Sequence, residues 1–226
     1  MEKTFKTFHI HGPAGAGKDT QADWIIERFD DYYKIGAGEM FRSFKNSNDP
    51  EKRRLYEKTV QGIWPTDEEV YHYLKEWITN DMQIPNDGRD GNLLFISLVR
   101  RASQIPYFDN LLKELDRKLE AFILIEVPED EIVRRLGDRY YCDGCEDTST
   151  FDIKDREAVK RCEECGGHLK QRSDDTKEAI ALRHKQYLRE IEEIKEHYEK
   201  LGLLVLIDGN QTREAVFNEI VKKVNF

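Results

Sequence analysis

Long hydrophobic runs are missing from this chain of 226 residues: no stretch approaches 18 consecutive apolar residues, which excludes a membrane-spanning helix. Positive charge is also in deficit. With 36 Lys+Arg against 45 Asp+Glu the formal net charge is −9, so no nucleic acid is expected as the main partner, and any phosphate site must be local. The opening residues MEKTFKTFHIHG lack a basic segment, an apolar segment and a cleavage site, so a cytoplasmic location is expected. Cysteine is confined to Cys142, Cys145, Cys162 and Cys165, which rules out a distributed disulfide framework. Internal repeats and low-complexity tracts are absent too. What is there, 38% hydrophobic residues over a length near the upper end for one domain, suffices for a single domain (1–226) carrying insertions.

Short β-branched or apolar runs at Thr4 to His11, Tyr32 to Ile35, Leu93 to Leu98, Ala121 to Val127 and Leu203 to Ile207 read as five strands. Helical patterns separate them, at Asp19 to Phe29, Gly38 to Lys45, Asp49 to Val60, Asp67 to Thr79, Tyr107 to Leu119, Glu129 to Leu136, Asp174 to Lys200 and Thr212 to Val224. Strands alternating with helices predict an α/β fold, a parallel sheet covered on both faces. The segment 139–173 has no helical period and holds every cysteine, so it reads as an inserted subdomain. A second insertion is expected over 37–66.

After the first strand stands Gly12-Pro13-Ala14-Gly15-Ala16-Gly17-Lys18-Asp19-Thr20, a G-x4-GK phosphate loop with Asp in place of the usual Ser or Thr. Glycines let backbone N–H groups close round phosphate oxygens, the following helix aims its positive end at them, and Lys18 adds a mobile cation. The four cysteines form two C-x2-C pairs sixteen residues apart, the spacing of a tetrahedral zinc site built from two chelating hairpins. Four thiolates leave no open position, so the metal would be structural, stapling a lid too small for a core of its own.

GPAGAGKDTQA resembles the loop of the adenylate kinase and nucleoside monophosphate kinase family, departing from it at Ala14 and Asp19. The resemblance runs through nearly the whole chain. Ile35 to Arg42 is similar to the family's S-T-G-D-M-L-R, which implies that Ala37 and Arg42 face the acceptor. Gly62 to Glu68 looks like the end of its acceptor subdomain. Leu93 to Gln104 lies where the family has F-L-L-D-G-F-P-R-T-x-x-Q, which makes Arg100 the phosphate arginine and Gln104 the base reader; the D-G-F-P core is absent, and Ile96 stands where the family's magnesium-holding Asp does. Arg135 and Arg139, then Arg172 and Arg183, fall on the arginines of R-x-x-G-R and Q-R-x-D-D…R, and Gln211 on the base-contacting turn. The Cys-Gly-Gly at 165 to 167 strengthens the likeness to the long, zinc-bearing lid form.

The resemblance implies a P-loop fold with a five-stranded parallel sheet, and transfer of the ATP γ-phosphoryl to AMP. ATP would be held by Gly15, Ala16, Gly17, Lys18, Asp19, Thr20, Arg135 and Gln211, and AMP by Ala37, Arg42, Arg100, Gln104, Arg172 and Arg183. The catalytic charges would come from Lys18, Arg100, Arg135, Arg139, Arg172 and Arg183, since phosphoryl transfer builds negative charge that guanidiniums stabilise. Magnesium accompanies ATP, with Asp19 and Thr20 as its expected ligands; zinc is the lid metal. Nucleotides are the only partners expected of a monomer. Ala37 leaves a UMP or CMP kinase as the alternative, Ile96 leaves a nucleotide-binding protein of poor turnover, and a zinc-ribbon nucleic-acid module is disfavoured by the acidic lid.

Overall fold

The computed structural model describes residues 5–61, 63, 65–86, 89–144, 151–171 and 176–226. In chain order the elements are β1 (Thr7–His11), α1 (Lys18–Arg28), β2 (Tyr32–Gly36), α2 (Ala37–Ser43), α3 (Pro50–Val60), α4 (Asp67–Glu76), β3 (Asn92–Ile96), α5 (Ile105–Glu114), β4 (Ala121–Glu126) and α6 (Glu129–Gly137). There follow β5 (Arg139–Cys142), β6 (Phe151–Asp152), α7 (Arg156–Cys165), β7 (Leu169–Gln171), α8 (Lys177–Lys200), β8 (Leu204–Asp208) and α9 (Arg213–Lys223). The expected five-stranded sheet is present, all parallel, in the order β2-β3-β1-β4-β8.

Side chains alternate across the sheet with period two. Phe8, Ile10, Leu94, Ile96, Ile123, Ile125 and Ile207 enter one core with Ile25 of α1, Leu136 of α6 and Ile220 of α9. Leu93, Phe95, Phe122 and Leu124 enter the other with Met40, Leu55, Leu74, Phe108 and Ile194 from α2, α3, α4, α5 and α8. Because β1 hydrogen-bonds to both β3 and β4, its C-terminal end opens on the crevice where the chain winds off in two directions, the usual ligand position in such sheets.

Several boundaries differ from expectation. Helix α5 stops at Glu114 rather than Leu119 because Asp116 takes a left-handed conformation (φ 54°) and Arg117 N–H closes back onto Leu112 C=O. After α4 the chain widens into a π-helical turn over Trp77–Asp81. The expectation that 139–173 lacks a helix is corrected by α7: Asp155 caps it by accepting from the N–H groups of Glu157 and Ala158, and Ala158 and Cys162, four residues apart, bury one face. Short polar sequence around those two positions hid the period. Thr4, the first residue of the first expected strand, lies outside the described residues, as do Asp174 and Asp175, with which the helix expected over 174–200 begins.

Among the described residues no helix is long and apolar enough to cross a membrane. The antiparallel sheet β6-β5-β7 and α7 carry the described cysteines, apart from the five-stranded sheet.

Candidate active site

The loop 12–17 leaves β1 through a turn that only glycine suits: a Cβ on Gly12 would lie 2.5 Å from the Ile125 carbonyl oxygen. Gly17, left-handed at φ 86°, caps α1 with no side-chain bond, so the first N–H groups of the helix face the loop without a side-chain acceptor. Lys18 Nζ donates to the carbonyls of Gly12 (2.9 Å) and Pro13 (2.7 Å), which holds the ammonium over the loop. Burial, then Arg100 and Arg139, lower its pKa to about 8 against the opposing pull of Asp19. Lys18 at the start of α1 thus stands under the repulsion of Arg100 in the loop after β3 and Arg139 in β5, which a bound polyanion would relieve.

Arg100 sits in the loop leaving β3, where Nε donates to Ser97 C=O (2.9 Å). Ser97 itself is left-handed at φ 50°. The loop is tied down from several sides. Leu98 N–H (3.1 Å) and Val99 N–H (3.4 Å) donate to His9 Nε2, and Tyr71 O–H donates to Leu98 C=O (2.9 Å). Gln104 is buried here: Oε1 accepts from the N–H groups of Arg100 (2.7 Å) and Arg101 (3.3 Å), and Nε2 donates to Asp67 Oδ1 (2.7 Å). In this arrangement both carbonyl lone pairs of Gln104 are engaged and one of its amide N–H groups points at Asp67.

Asp19 is 77% exposed and lies 3.4 Å from Lys34, which also meets Asp23 (2.8 Å) and Glu39 (3.8 Å). Burial opposes the charge on Lys34, but the bond from Asp23 and the three carboxylates outweigh it and raise its pKa. Ile96 is buried in the core, giving packing where a carboxylate was sought. Thr20 is half-buried on the first turn of α1, and Arg42 is exposed on α2. Ala37 is buried at the start of α2.

Glu131 is held down to about 2 by its hydrogen bonds to Arg134 and Arg135, and it orients Arg135, whose Nη2 donates to Gly209 C=O (2.8 Å). That bond joins α6 to the turn after β8. There Gln211 Nε2 donates to Asp208 C=O (2.9 Å) and Glu219 (2.7 Å). Arg183 lies half-buried on α8, while Arg172 and Cys145 fall outside the described residues.

In the insertion, Cys142, Cys162 and Cys165 offer sulfurs that all lie within 4.8 Å of one another. Sγ of Cys142 is 2.8 Å from that of Cys162 and 3.4 Å from that of Cys165. The Cys162 thiol, hydrogen-bonded to Cys142, desolvated and crowded by Cys165, is pushed up to about 12. Two turns meet behind the sulfurs, where a Cβ on Gly167 would come within 2.5 Å of Cys142 Sγ. Donor type and spacing fit a soft metal ion. The expectation of two chelating hairpins is corrected on one side, since Cys162 and Cys165 lie in the last turn of α7, with Gly166 left-handed as its C-cap.

A family model described as adenylate kinase matches residues 10–203. The chain belongs to the adenylate kinase family. An adenylate kinase of Carboxydothermus hydrogenoformans is 34% identical over 93% of this chain and 95% of that protein. One of Desulforamulus reducens is 32% identical over 95% and 98%, and one of Archaeoglobus fulgidus 30% identical over 92% and 93%. Sequence reasoning placed Lys18 and Arg100 in the site but missed His9, Asp67 and Tyr71, which hold the Arg100 loop. Two histidines at alternate positions of an otherwise apolar strand were the available signal for His9.

Proposed function

We infer that this member of the adenylate kinase family transfers the γ-phosphoryl of ATP reversibly to AMP, giving two ADP. The observation that carries this reading is the glycine-bounded loop at the end of β1, with Lys18 Nζ held over it by the carbonyls of Gly12 and Pro13 and standing under the repulsion of Arg100 and Arg139. In the assignment we favour, the loop N–H groups and Lys18 take the ATP phosphates, Arg100 and Arg42 the acceptor phosphate, and Arg135, Arg139, Arg172 and Arg183 the charge that grows between them. Residues 37–66 would then be the acceptor-binding insertion and 139–173 a lid that excludes water, itself a competent phosphoryl acceptor.

Magnesium, when bound with ATP, neutralises phosphate charge. Asp19 and Thr20 are our candidates for holding it or its waters, supported by the solvent-facing carboxylate directly after Lys18. Weaker activity and a higher magnesium requirement in Asp19→Gly, partly recovered by adding Ile96→Asp, is the expected result; an unchanged magnesium dependence removes the assignment. Zinc is the proposed lid metal, held by Cys142, Cys162 and Cys165 together with Cys145. The protein is proposed to work in the cytoplasm as a monomer.

A coupled assay supplying ATP with each nucleoside monophosphate in turn tests the acceptor. AMP is expected to turn over fastest. Faster turnover of UMP or CMP would favour the pyrimidine reading, which rests on Ala37.

A further inference from the structure

We propose that His9 is a positioning residue for the acceptor-phosphate arginine, a neutral imidazole in the sheet interior whose Nε2 sets the course of the loop that carries Arg100. The inference rests on the reading of Arg100 given above.

The hydrogen-bond pattern leads to it step by step. β1 and β3 pair through Ile10 and Ile96, and the ladder runs on with Ser97 N–H donating to Ile10 C=O (3.0 Å). At Ser97 the backbone turns left-handed, so the next two N–H groups leave the ladder and point into the sheet interior. Buried N–H groups need acceptors there. His9, fully buried on the neighbouring strand, supplies one atom for both. Its ring is held flat against Phe122 (centroids 4.6 Å apart, 8° between planes) and edge-on to Phe108 (5.3 Å), so the acceptor's direction is set by packing.

The chain of contacts then runs outward to the site. With Leu98 and Val99 fixed, Ser97 C=O is aimed at Arg100 Nε, and Arg100 N–H reaches Gln104. An imidazole accepting at Nε2 must carry its proton on Nδ1 and be neutral, because a second N–H aimed at two donors would repel them. The charged or titratable groups around it agree with this: His11 on its own strand stands 5.9 Å away, Lys18 of α1 acts on it as a cation, and β4 and α5 present the uncharged Phe122 and Phe108.

Three variants and one measurement on the unaltered protein test this. His9→Leu keeps the apolar packing and removes the acceptor of both N–H groups; KM for AMP is expected to rise roughly tenfold, about 1.4 kcal/mol, with KM for ATP within about twofold. His9→Gln, whose Oε1 reaches the place of Nε2, is expected to recover most of the loss. Arg100→Met separates the two levels of the argument. If it leaves the AMP KM unchanged, the reading of Arg100 fails and the inference falls with it. If it raises the AMP KM while His9→Leu does not, or if His9→Leu and His9→Gln behave alike, the role of His9 alone is overturned. Should the variants not fold, nitrogen NMR of the histidine rings in the unaltered protein decides: an Nδ1–H tautomer at His9 is expected, and a proton on Nε2 would overturn the proposal.

Discussion

In β1 every residue is buried, and in β4 five of six are, each packed between two helical layers. In the insertion from Arg139 to Gln171 only Cys142, Ala158 and Cys162 are buried among the described residues, and two of those three are candidate metal ligands. Both regions use hydrogen-bonded strands and capped helices, so local structure does not distinguish them. Burial does. Apolar area removed from water contributes about 25 cal/mol per Å², and the sheet has it in plenty, whereas the cysteine-bearing segment has little, leaving the gathered sulfurs and a few polar ties such as Asp143 with Lys170 (2.7 Å). The site we propose would take its cations from both regions, Lys18 and Arg100 from one and Arg139 from the other, and so would join a rigid wall to a wall of low intrinsic stability.

Removing the metal should break this contrast most severely. Elemental analysis is expected to find one zinc per chain, and its binding free energy, on the order of 10 kcal/mol for structural zinc, is the scale of what chelation withdraws from the insertion. Hydrogen exchange after chelation, or in Cys142→Ser, should show β5, α7 and β7 unprotected while β1 and β4 keep their protection. Equal loss in both regions would mean that they fold as one unit.

Next in size, Lys18→Met should lower kcat/KM in the coupled assay by about 10²–10³, or about 3–4 kcal/mol, since it removes a preorganised cation from the phosphate loop. Its thermal midpoint should fall little or rise, because the lysine is partly buried among like charges.

Acid should act on the sheet through two buried histidines as well as on the cysteine cluster, whose metal-binding thiolates it protonates. His9 is lowered to about 3 by burial and Lys18, and His11 lies well below the ordinary histidine value through burial and the charges of His9, Lys18 and Arg100. Above pH 6.5 both are neutral folded or unfolded and leave stability unchanged. As pH falls below 6.5 the unfolded chain takes up protons that the native sheet refuses, so stability drops by up to about 1.4 kcal/mol per pH unit for each histidine, and for His9 levels off near pH 3. Urea titrations between pH 7 and 5 should show this slope, and His9→Gln should reduce it by one proton.

The smallest effect is expected at Ser97, left-handed at φ 50°. Relief of backbone strain in Ser97→Gly is partly cancelled by greater freedom in the unfolded chain, leaving a change within about 1 kcal/mol, readable from denaturant midpoints.

Much of this was legible from residue order because the signals are local. Strand and helix positions follow from periodicity, the phosphate loop from glycine spacing, and three cysteines converge as their C-x2-C pattern requires. Helix α7 was not legible, because its buried stripe is only Ala158 and Cys162 amid charged residues. The ties of Gln104 were hidden as well: Asp67 lies 37 residues away and meets it only after α4 has packed beside α5.

The amino-acid sequence by itself determined the order of the five parallel strands and the helices between them, the glycine-rich loop after β1 and the family to which the chain belongs, since each depends on residues close together or on a pattern along the whole chain. Tertiary structure alone decided which cations share one space, and that a histidine in β1 accepts from the loop after β3. Those contacts join residues about 90 positions apart, and only the parallel pairing of two strands sets their direction and distance.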